Sequence, residues 1–161
     1  MATEIERKFL VKPELWNPTT TPVTIRQGYL KASGNSVVRV RTMGDQAFLT
    51  IKGKTQGISR LEFEYSIPAD EANQMLDALA EGPLIEKQRY SIRIGEHTWE
   101  VDEFFGENAG LLIAEIELES EQAPFLKPNW VGEEVSQDVR YFNSNLVAHP
   151  YKSWACRATD E

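Results

Sequence analysis

Residues 2–11 read ATEIERKFLV, with the charged side chains of Glu4, Glu6 and Lys8 at every second position and Ile5 and Phe9 on the alternate positions. Successive side chains of a β-strand point to opposite faces of a sheet. The stretch therefore predicts a β-strand that has one charged face and one largely apolar face.

The same period-two alternation recurs in seven further segments, and short turns rich in Gly, Asn and Asp separate most of them. Such close spacing favours antiparallel hairpins, so the expected fold is α+β and mainly β. The seven segments are approximately residues 23–31, 36–42, 46–54, 59–66, 85–94, 97–104 and 111–119.

Two regions interrupt the strand pattern. Apolar residues at helical spacing predict a helix over residues 69–81, with Asp70 as its cap and Gly82-Pro83 as its stop signal. Residues 120–149 are irregular, with short helical turns expected around Glu121 and over residues 144–148. Both regions are expected to cover the apolar face of the sheet, and residues 149–161 are expected to form a frayed tail.

Composition limits the classes of function. The chain has 161 residues, 41% of them hydrophobic, which suits one domain spanning residues 1–161. A formal net charge of −8 disfavours nucleic-acid and membrane partners. A single cysteine, Cys156, excludes an intrachain disulfide and a thiolate zinc cage, and no segment resembles a signal peptide or a membrane span. A cytoplasmic location is expected, and a homodimer stays open.

When alternate residues of each predicted strand are assigned to opposite faces of the sheet, charged residues of both signs fall on one face. Like charges are grouped there as ExE and RxR pairs, whereas an ordinary solvent face mixes its signs. Paired carboxylates suit Mg²⁺ or Mn²⁺, and arrayed Arg and Lys side chains suit a polyanion. If the strands close with this face inward, water, metal and ligand must fill the interior. The face comprises the basic residues Lys8, Arg26, Arg39, Arg41, Lys52, Lys54, Arg60, Lys87, Arg89 and Arg93, and the acidic residues Glu4, Glu6, Glu62, Glu64, Glu100, Asp102, Glu115, Glu117 and Glu119.

The motif ExExK over Glu4–Lys8 resembles the signature of the CYTH, or triphosphate tunnel metalloenzyme, superfamily, and the chain is similar to its small bacterial members over residues 2–148. The motif is followed in order by Arg39/Arg41, Lys52, Glu62/Glu64, Lys87/Arg89, Asp102 and Glu115/Glu117. The resemblance implies an eight-stranded antiparallel closed barrel that forms a tunnel, a substrate carrying a triphosphate, and a divalent metal, Mg²⁺ or Mn²⁺.

The resemblance also implies roles for individual residues. A second metal, or Lys87 with its proton affinity lowered by neighbouring cations, would orient or deprotonate the attacking water, which makes Lys87 the catalytic candidate. The implied metal ligands are Glu4, Glu6, Glu64, Asp102, Glu115 and Glu117, and the implied phosphate-binding residues are Lys8, Arg39, Arg41, Lys52, Lys87, Arg89 and Arg140.

The expected reaction is metal-dependent hydrolysis of inorganic triphosphate to pyrophosphate and phosphate. Inorganic triphosphate is preferred to a nucleotide because Tyr29 and Phe48 are as consistent with packing as with stacking on a base. The broader family leaves three other reactions open: cyclisation by a class IV adenylyl cyclase, and hydrolysis of nucleoside or of thiamine triphosphate. A non-catalytic polyphosphate-binding module is less expected because the carboxylates are present.

Overall fold

A computed structural model of the chain describes residues 3–154 and contains one sheet, two named α-helices and a further helical segment at residues 151–154. The predicted thiol Cys156 and residues 155–161 of the predicted tail lie outside the described residues. The prediction of a frayed tail is wrong for residues 151–154, which are helical and pack against the barrel end through Tyr151 and Trp154. The strands are β1 (Thr3–Val11), β2 (Val23–Lys31), β3 (Ser36–Met43), β4 (Gln46–Gly53), β5 (Ser59–Ser66), β6 (Ile85–Ile94), β7 (His97–Phe104), β8 (Leu112–Glu117) and β9 (Val131–Glu134), and the helices are α1 (Ala69–Ala78) and α2 (Asn143–Ala148).

The first eight strands close on themselves as an antiparallel barrel. Their order is β5-β4-β3-β2-β6-β7-β8-β1, and β1 returns to β5 through pairs such as Glu4 with Arg60. The eight-stranded closed barrel and its strand positions are therefore confirmed. The short strand β9 pairs with the end of β1 and was missed, because its four residues carry no extended alternation.

The outer face of the barrel is apolar and is covered in two places. Phe9 and Trp99 lie in a buried cluster with Trp130, which belongs to the irregular segment after β8. On the other side, Ala72 and Leu76 of α1 pack against β3 and β4. The predicted covering role holds for α1 and for the first part of the irregular segment.

One end of the barrel is closed by α2 rather than left open. Ile85, Phe104 and Ile113 are buried in one cluster with Tyr141 and Leu146, which belong to a 3₁₀ turn and to α2. The prediction that all of residues 120–149 cover the outer face is therefore wrong for the second part. The apolar residues at this end of the strands need a partner, and α2 supplies it.

Three local details of the predicted helices are corrected. Helix α1 ends at Ala78, and its N-cap is Pro68 without a side-chain cap, so Asp70 lies in the first turn. There its negative charge interacts favourably with the positive end of the helix dipole. Residues 121–122 form a turn rather than a helix, whereas α2 confirms the helical turn expected over residues 144–148.

Gly28 in β2 lies where α1 and the chain after it pack against the barrel. A Cβ atom at Gly28 would lie 2.6 Å from Leu84 Cδ2 and 3.0 Å from Ala80 Cβ. We expect Gly28→Ala to lower the free energy of unfolding by about 1–3 kcal/mol, because the extra methyl overpacks this contact. Urea unfolding measures the change. Gly53→Ala, whose new Cβ would meet its nearest neighbour at 3.5 Å, is the matched control in a strand. Equal stability of the two variants would contradict the overpacking.

Candidate active site

The interior of the barrel contains a cavity of about 210 Å³ whose wall is dominated by charged side chains. Among the described residues, seven basic and seven acidic side chains line it. The basic ones are Lys8, Arg39, Arg41, Lys52, Arg60, Lys87 and Arg89, and the acidic ones are Glu4, Glu6, Glu62, Glu64, Glu100, Glu115 and Glu117.

Strand register explains why these residues meet. Residues directly opposite each other on paired strands share a face of the sheet. Glu6 lies opposite Glu117, and Lys8 lies opposite Glu115, so β1 and β8 bring three carboxylates and one ammonium to the same wall. The alternation read from the sequence is thus the physical origin of the charged interior.

Eleven of the thirteen predicted site residues lie on the cavity wall. The structure does not bring Arg140 to the cavity. Arg140 lies on the surface, where it forms an ion pair with Asp138 at 2.7 Å and lies over the rings of Tyr141 and Trp154. Asp102, the other exception, lies behind the wall and is described below.

The assignment of alternate residues to the inner face was wrong for one strand, β2. Arg26 points outward, where it contacts Asp77 of α1 at 2.7 Å and Asn73 at 2.9 Å. The inward residues of β2 are Gln27 and Tyr29, which lie opposite Arg41 and Arg39. Assigning Arg26 to the interior was therefore wrong. The inner face of β2 carries uncharged residues, and Arg26, the charged residue in the middle of the strand, lies on the outer face.

The remaining extra cations of that face divide between wall and surface. Arg60 lines the cavity and donates from Nε to Glu4 at 3.2 Å. Arg93 is exposed and contacts the carbonyl of Gly95 in a hairpin turn, and Lys54 is exposed just after β4. Glu119 is also exposed, beyond the end of β8.

Asp102 is the counter-ion of two cations. Its carboxylate accepts two hydrogen bonds from Arg89, at 2.8 and 2.9 Å, and lies 2.8 Å from Lys87 Nζ. Only 1% of the Asp102 side chain is exposed. Burial alone would raise the pKa of Asp102, but Arg89 and Lys87 hold it below its ordinary value. Asp102 is therefore placed to fix the two cations rather than to face the cavity.

The amine of Lys87 has a strongly lowered pKa. Burial lowers the pKa of Lys87 to about 8 and Arg89 contributes, although the nearby Asp102 acts in the opposite direction. Its Nζ also donates to Asn143 Oδ1 at 2.7 Å. An amine with this pKa can either donate or accept a proton near neutral pH.

The carboxylates of β1 and β8 differ in their partners. Glu4 is held by Lys52 at 3.3 Å and by Arg60, and Glu115 is held by Lys8 and Arg89. Glu6 forms no ion pair among residues 3–154. Burial raises the pKa of Glu6 to about 8, with Glu115 and Glu4 adding to the shift.

This donor set fits a divalent cation. Among residues 3–154, no three acidic, histidine or cysteine side chains already converge on one point. In the same part of the chain Glu6 forms no ion pair, and Glu117 opposite it has its pKa raised by burial and by neighbouring carboxylates. Hard oxygen donors of this kind suit Mg²⁺ or Mn²⁺, and a cation beside Glu6 would relieve the repulsion.

Two neutral residues of the site region were missed by sequence reasoning. Asn143 lines the cavity from the start of α2, and Gln27 donates from Nε2 to Asn143 Oδ1 at 3.1 Å. Both residues are neutral, so the pattern of charged residues did not indicate them. Ile25 and Tyr29 share the parity of Gln27, so this set of residues resembled an apolar outer face and did not indicate that it faces inward.

A closed barrel that surrounds a cavity lined by cations and carboxylates has the chemistry that suits a polyanion and a divalent metal. The chain belongs to the CYTH domain family, whose model matches residues 2–151. Triphosphatases of this family are metal-dependent in general.

Two relatives carry the same description. The chain is 53% identical over 154 residues to an inorganic triphosphatase of Acetivibrio thermocellus, covering 96% of this chain and 99% of the relative. It is 40% identical over 149 residues to an inorganic triphosphatase of Nitrosomonas europaea, covering 90% of this chain and 97% of the relative.

Solved structures agree with the architecture. The crystal structure of an inorganic triphosphatase aligns with a TM-score of 0.65 and 36% identity, over 91% of this chain and 95% of that one. A protein of Pyrococcus horikoshii aligns with a TM-score of 0.60 over 93% and 99% of the two chains, and at 20% identity it shows the fold alone. Within residues 3–154, no helix has the length and apolar character needed to cross a bilayer.

Proposed function

We propose that this chain is an inorganic triphosphatase, which hydrolyses a phosphoanhydride bond of triphosphate to yield pyrophosphate and phosphate, with Mg²⁺ or Mn²⁺ as cofactor. The observation that carries the proposal is a cavity inside the barrel that is lined by seven cations and by Glu6, a carboxylate without a cation partner among the described residues. The activity of the relatives at 53% and 40% identity supports it.

The cations supply the binding energy for the substrate. Triphosphate is a small polyanion, and Arg side chains bind its oxygens in pairs while Lys side chains act as point charges. In hydrolysis, negative charge develops on the leaving pyrophosphate, and fixed cations stabilise that charge without reorganisation. The proposed binding residues are Lys8, Arg39, Arg41, Lys52, Lys87 and Arg89.

The carboxylates of β1 and β8 are the proposed metal ligands. Glu6 and Glu117 are free of cation partners among the described residues, and Glu4 and Glu115 lie beside them on the same strands. When bound, a divalent metal would neutralise charge on the phosphoryl oxygens. As substrate enters, Lys52 and Lys8 would turn from Glu4 and Glu115 to phosphate, which frees both carboxylates.

Lys87 is the proposed catalytic residue. With a pKa of about 8, roughly one Lys87 amine in ten is neutral at pH 7 and able to accept a proton at Nζ from an attacking water. The charged form instead donates a hydrogen bond to a phosphoryl oxygen. Its 2% exposure keeps bulk water from competing for either role.

Inorganic triphosphate is the preferred substrate because the wall offers little to a nucleoside. The aromatic residues of the wall in residues 3–154 are Tyr29 and Phe142, and Tyr29 is 4% exposed within a core cluster. Phe48, the other candidate for stacking on a base, is not part of the wall. Helix α2 also closes the adjacent end of the barrel.

We expect metal-dependent release of phosphate and pyrophosphate from inorganic triphosphate at least about 100-fold faster than from ATP or thiamine triphosphate, because only the triphosphate group is recognised. The assay compares Mg²⁺, Mn²⁺ and chelator, with the double variant Glu4→Gln/Glu6→Gln as the inactive control. Formation of a cyclic nucleotide from ATP would establish a cyclase instead. Binding of all three compounds without turnover would establish a binding module.

A further inference from the structure

A chain of hydrogen bonds joins three strand and helix residues next to the cavity. Asn143 Oδ1, at the first residue of α2, accepts from Lys87 Nζ at 2.7 Å and from Gln27 Nε2 at 3.1 Å. Gln27 is fully buried and Lys87 is 2% exposed. The contact therefore links the segment that closes the barrel to the buried amine of Lys87.

The ammonium of Lys87 is fixed from two directions. It has three N–H donors, and two of them are engaged by Asp102 Oδ2 at 2.8 Å and by Asn143 Oδ1. One donor remains for the cavity that Lys87 lines. The ring of Phe104 lies 5.3 Å from Nζ and fills the space on another side.

Asp102 alone cannot determine where the amine points. Both of its oxygens are engaged by the guanidinium of Arg89, so Lys87 shares a carboxylate whose position Arg89 sets. A lysine has four flexible carbons in its side chain, and one shared contact leaves the amine free to rotate. The second acceptor, Asn143, removes that freedom.

Gln27 fixes the orientation of the Asn143 amide. An ammonium has no acceptor, so Asn143 must present Oδ1 rather than its NH₂ group to Lys87. The donor Nε2 of Gln27 binds the same oxygen and favours this orientation, which leaves Gln27 Oε1 buried without a partner among the described atoms. The two amides are thus turned so that the donors of Gln27 and Lys87 meet the same oxygen of Asn143.

We propose that Asn143, oriented by Gln27, is a positioning residue that holds Lys87 Nζ in its working position. The inference rests on the proposed triphosphatase function and on Lys87 as its catalytic residue. It assigns α2 a second task, because the helix that closes the barrel also sets the position of the amine.

The kinetic test is a double-mutant cycle with inorganic triphosphate. Asn143→Leu removes the acceptor at similar volume and should lower kcat about 10- to 100-fold, with KM changed less than about 3-fold. Asn143→Asp retains an acceptor oxygen and should restore most of the loss. In a Lys87→Met background, Asn143→Leu should lower kcat no further. The control is Asn145→Ala, the same residue type two positions along α2 and not part of the cavity wall.

Two kinetic results would overturn the proposal. An equal loss of kcat in the presence and absence of Lys87 would show that Asn143 acts independently of it. A rise in KM with unchanged kcat would make Asn143 a substrate contact instead. A wild-type protein without turnover would refute the proposed function, and the positioning role would then be decided by the next measurement.

The second measurement needs no activity. A buried, hydrogen-bonded ammonium exchanges its protons slowly, so Lys87 should give a resolved ¹H–¹⁵N signal at pH 6, assigned by its loss in Lys87→Met. In Asn143→Leu this signal should shift or broaden through faster exchange, while the Lys8 and Lys52 signals stay unchanged. An unchanged Lys87 signal in Asn143→Leu would overturn the positioning role even if turnover falls.

Discussion

Replacing Glu6 with glutamine is expected to abolish metal-dependent turnover of triphosphate and, in the same protein, to raise the melting temperature measured in chelator. Glu6 lies opposite Glu117, near Glu4 and Glu115, and forms no ion pair among the described residues. The glutamine would keep the shape of the side chain but remove the charge that the metal needs. The same change removes a carboxylate whose ionised form is destabilised in the folded state.

The stability gain should depend on pH with a defined sign. The pKa of Glu6 is raised to about 8 in the folded protein, from an ordinary value of 4.5. Between these values the folded state holds a proton that the unfolded state releases, so Glu6 progressively lowers stability as pH rises. Glu6→Gln should therefore change the melting temperature little at pH 5. At pH 8.5 we expect a gain of roughly 1–2 kcal/mol, or about 2–8 °C.

A paired carboxylate of the same cavity provides the control for Glu6→Gln. Glu62 lies 3.1 Å from Lys52, so Glu62→Gln removes a charge of the same sign together with a favourable contact. Its melting temperature should stay level or fall at pH 8.5. Adding Mg²⁺ should then stabilise the wild type and Glu62→Gln, but not Glu6→Gln. A lower melting temperature for Glu6→Gln than for wild type in chelator at pH 8.5 would contradict the repulsion at Glu6.

The barrel could be predicted from sequence because a closed sheet imposes one rule on every strand. Residues such as Glu4, Glu6 and Lys8 face inward together, and their parity determines the whole inner wall once the barrel closes. The prediction failed at β2, where parity was read from Arg26. Its inner residues Gln27 and Tyr29 carry no charge, so period alone could not say which set faces inward.

The closure by α2 and the contact of Asn143 could not be predicted. Both depend on where the chain returns after β9, which local periodicity does not encode. The position of Asp102 was also not predictable from periodicity, which gives the face of the strand but not how far a side chain reaches. Asp102 and Glu100 share the inward parity of β7, but the shorter aspartate stays below the wall where Arg89 and Lys87 cover it, whereas Glu100 reaches the cavity.

Removing the Asp102 carboxylate is expected to have the largest effect on stability in this site. Asp102→Ala leaves Lys87 and Arg89 buried without the charge that both share, although Arg89 keeps contacts to Glu100 and Glu115. Breaking one side of a buried ion pair costs about 3–5 kcal/mol, because the remaining charge stays desolvated. We expect a loss of this size in the free energy of unfolding, measured with urea in chelator at pH 7.

The pH dependence of this stability loss and a triple variant that restores stability provide two further tests. The pKa of Asp102 is lowered from 3.8 in the fold, so its stabilising contribution is present at neutral pH and lost as pH falls through the folded pKa. The difference between wild type and Asp102→Ala should therefore shrink at the acid end of the range. The triple variant Asp102→Leu/Lys87→Met/Arg89→Met should recover much of the stability, because it removes the buried cations together with their partner.

The same variant separates the two roles open to Asp102. A counter-ion acts in the metal-free protein, so Asp102→Ala should lose stability in chelator, and the Mg²⁺ concentration for half-maximal stabilisation should change little. A metal ligand would give the reverse: near-normal stability in chelator and a weakened response to Mg²⁺. The second result would support the metal role that the family resemblance implies. The first is expected, because both oxygens of Asp102 are already bound by Arg89 and one also by Lys87, and only 1% of the side chain is exposed, so a metal ligand role would require these cations to move away.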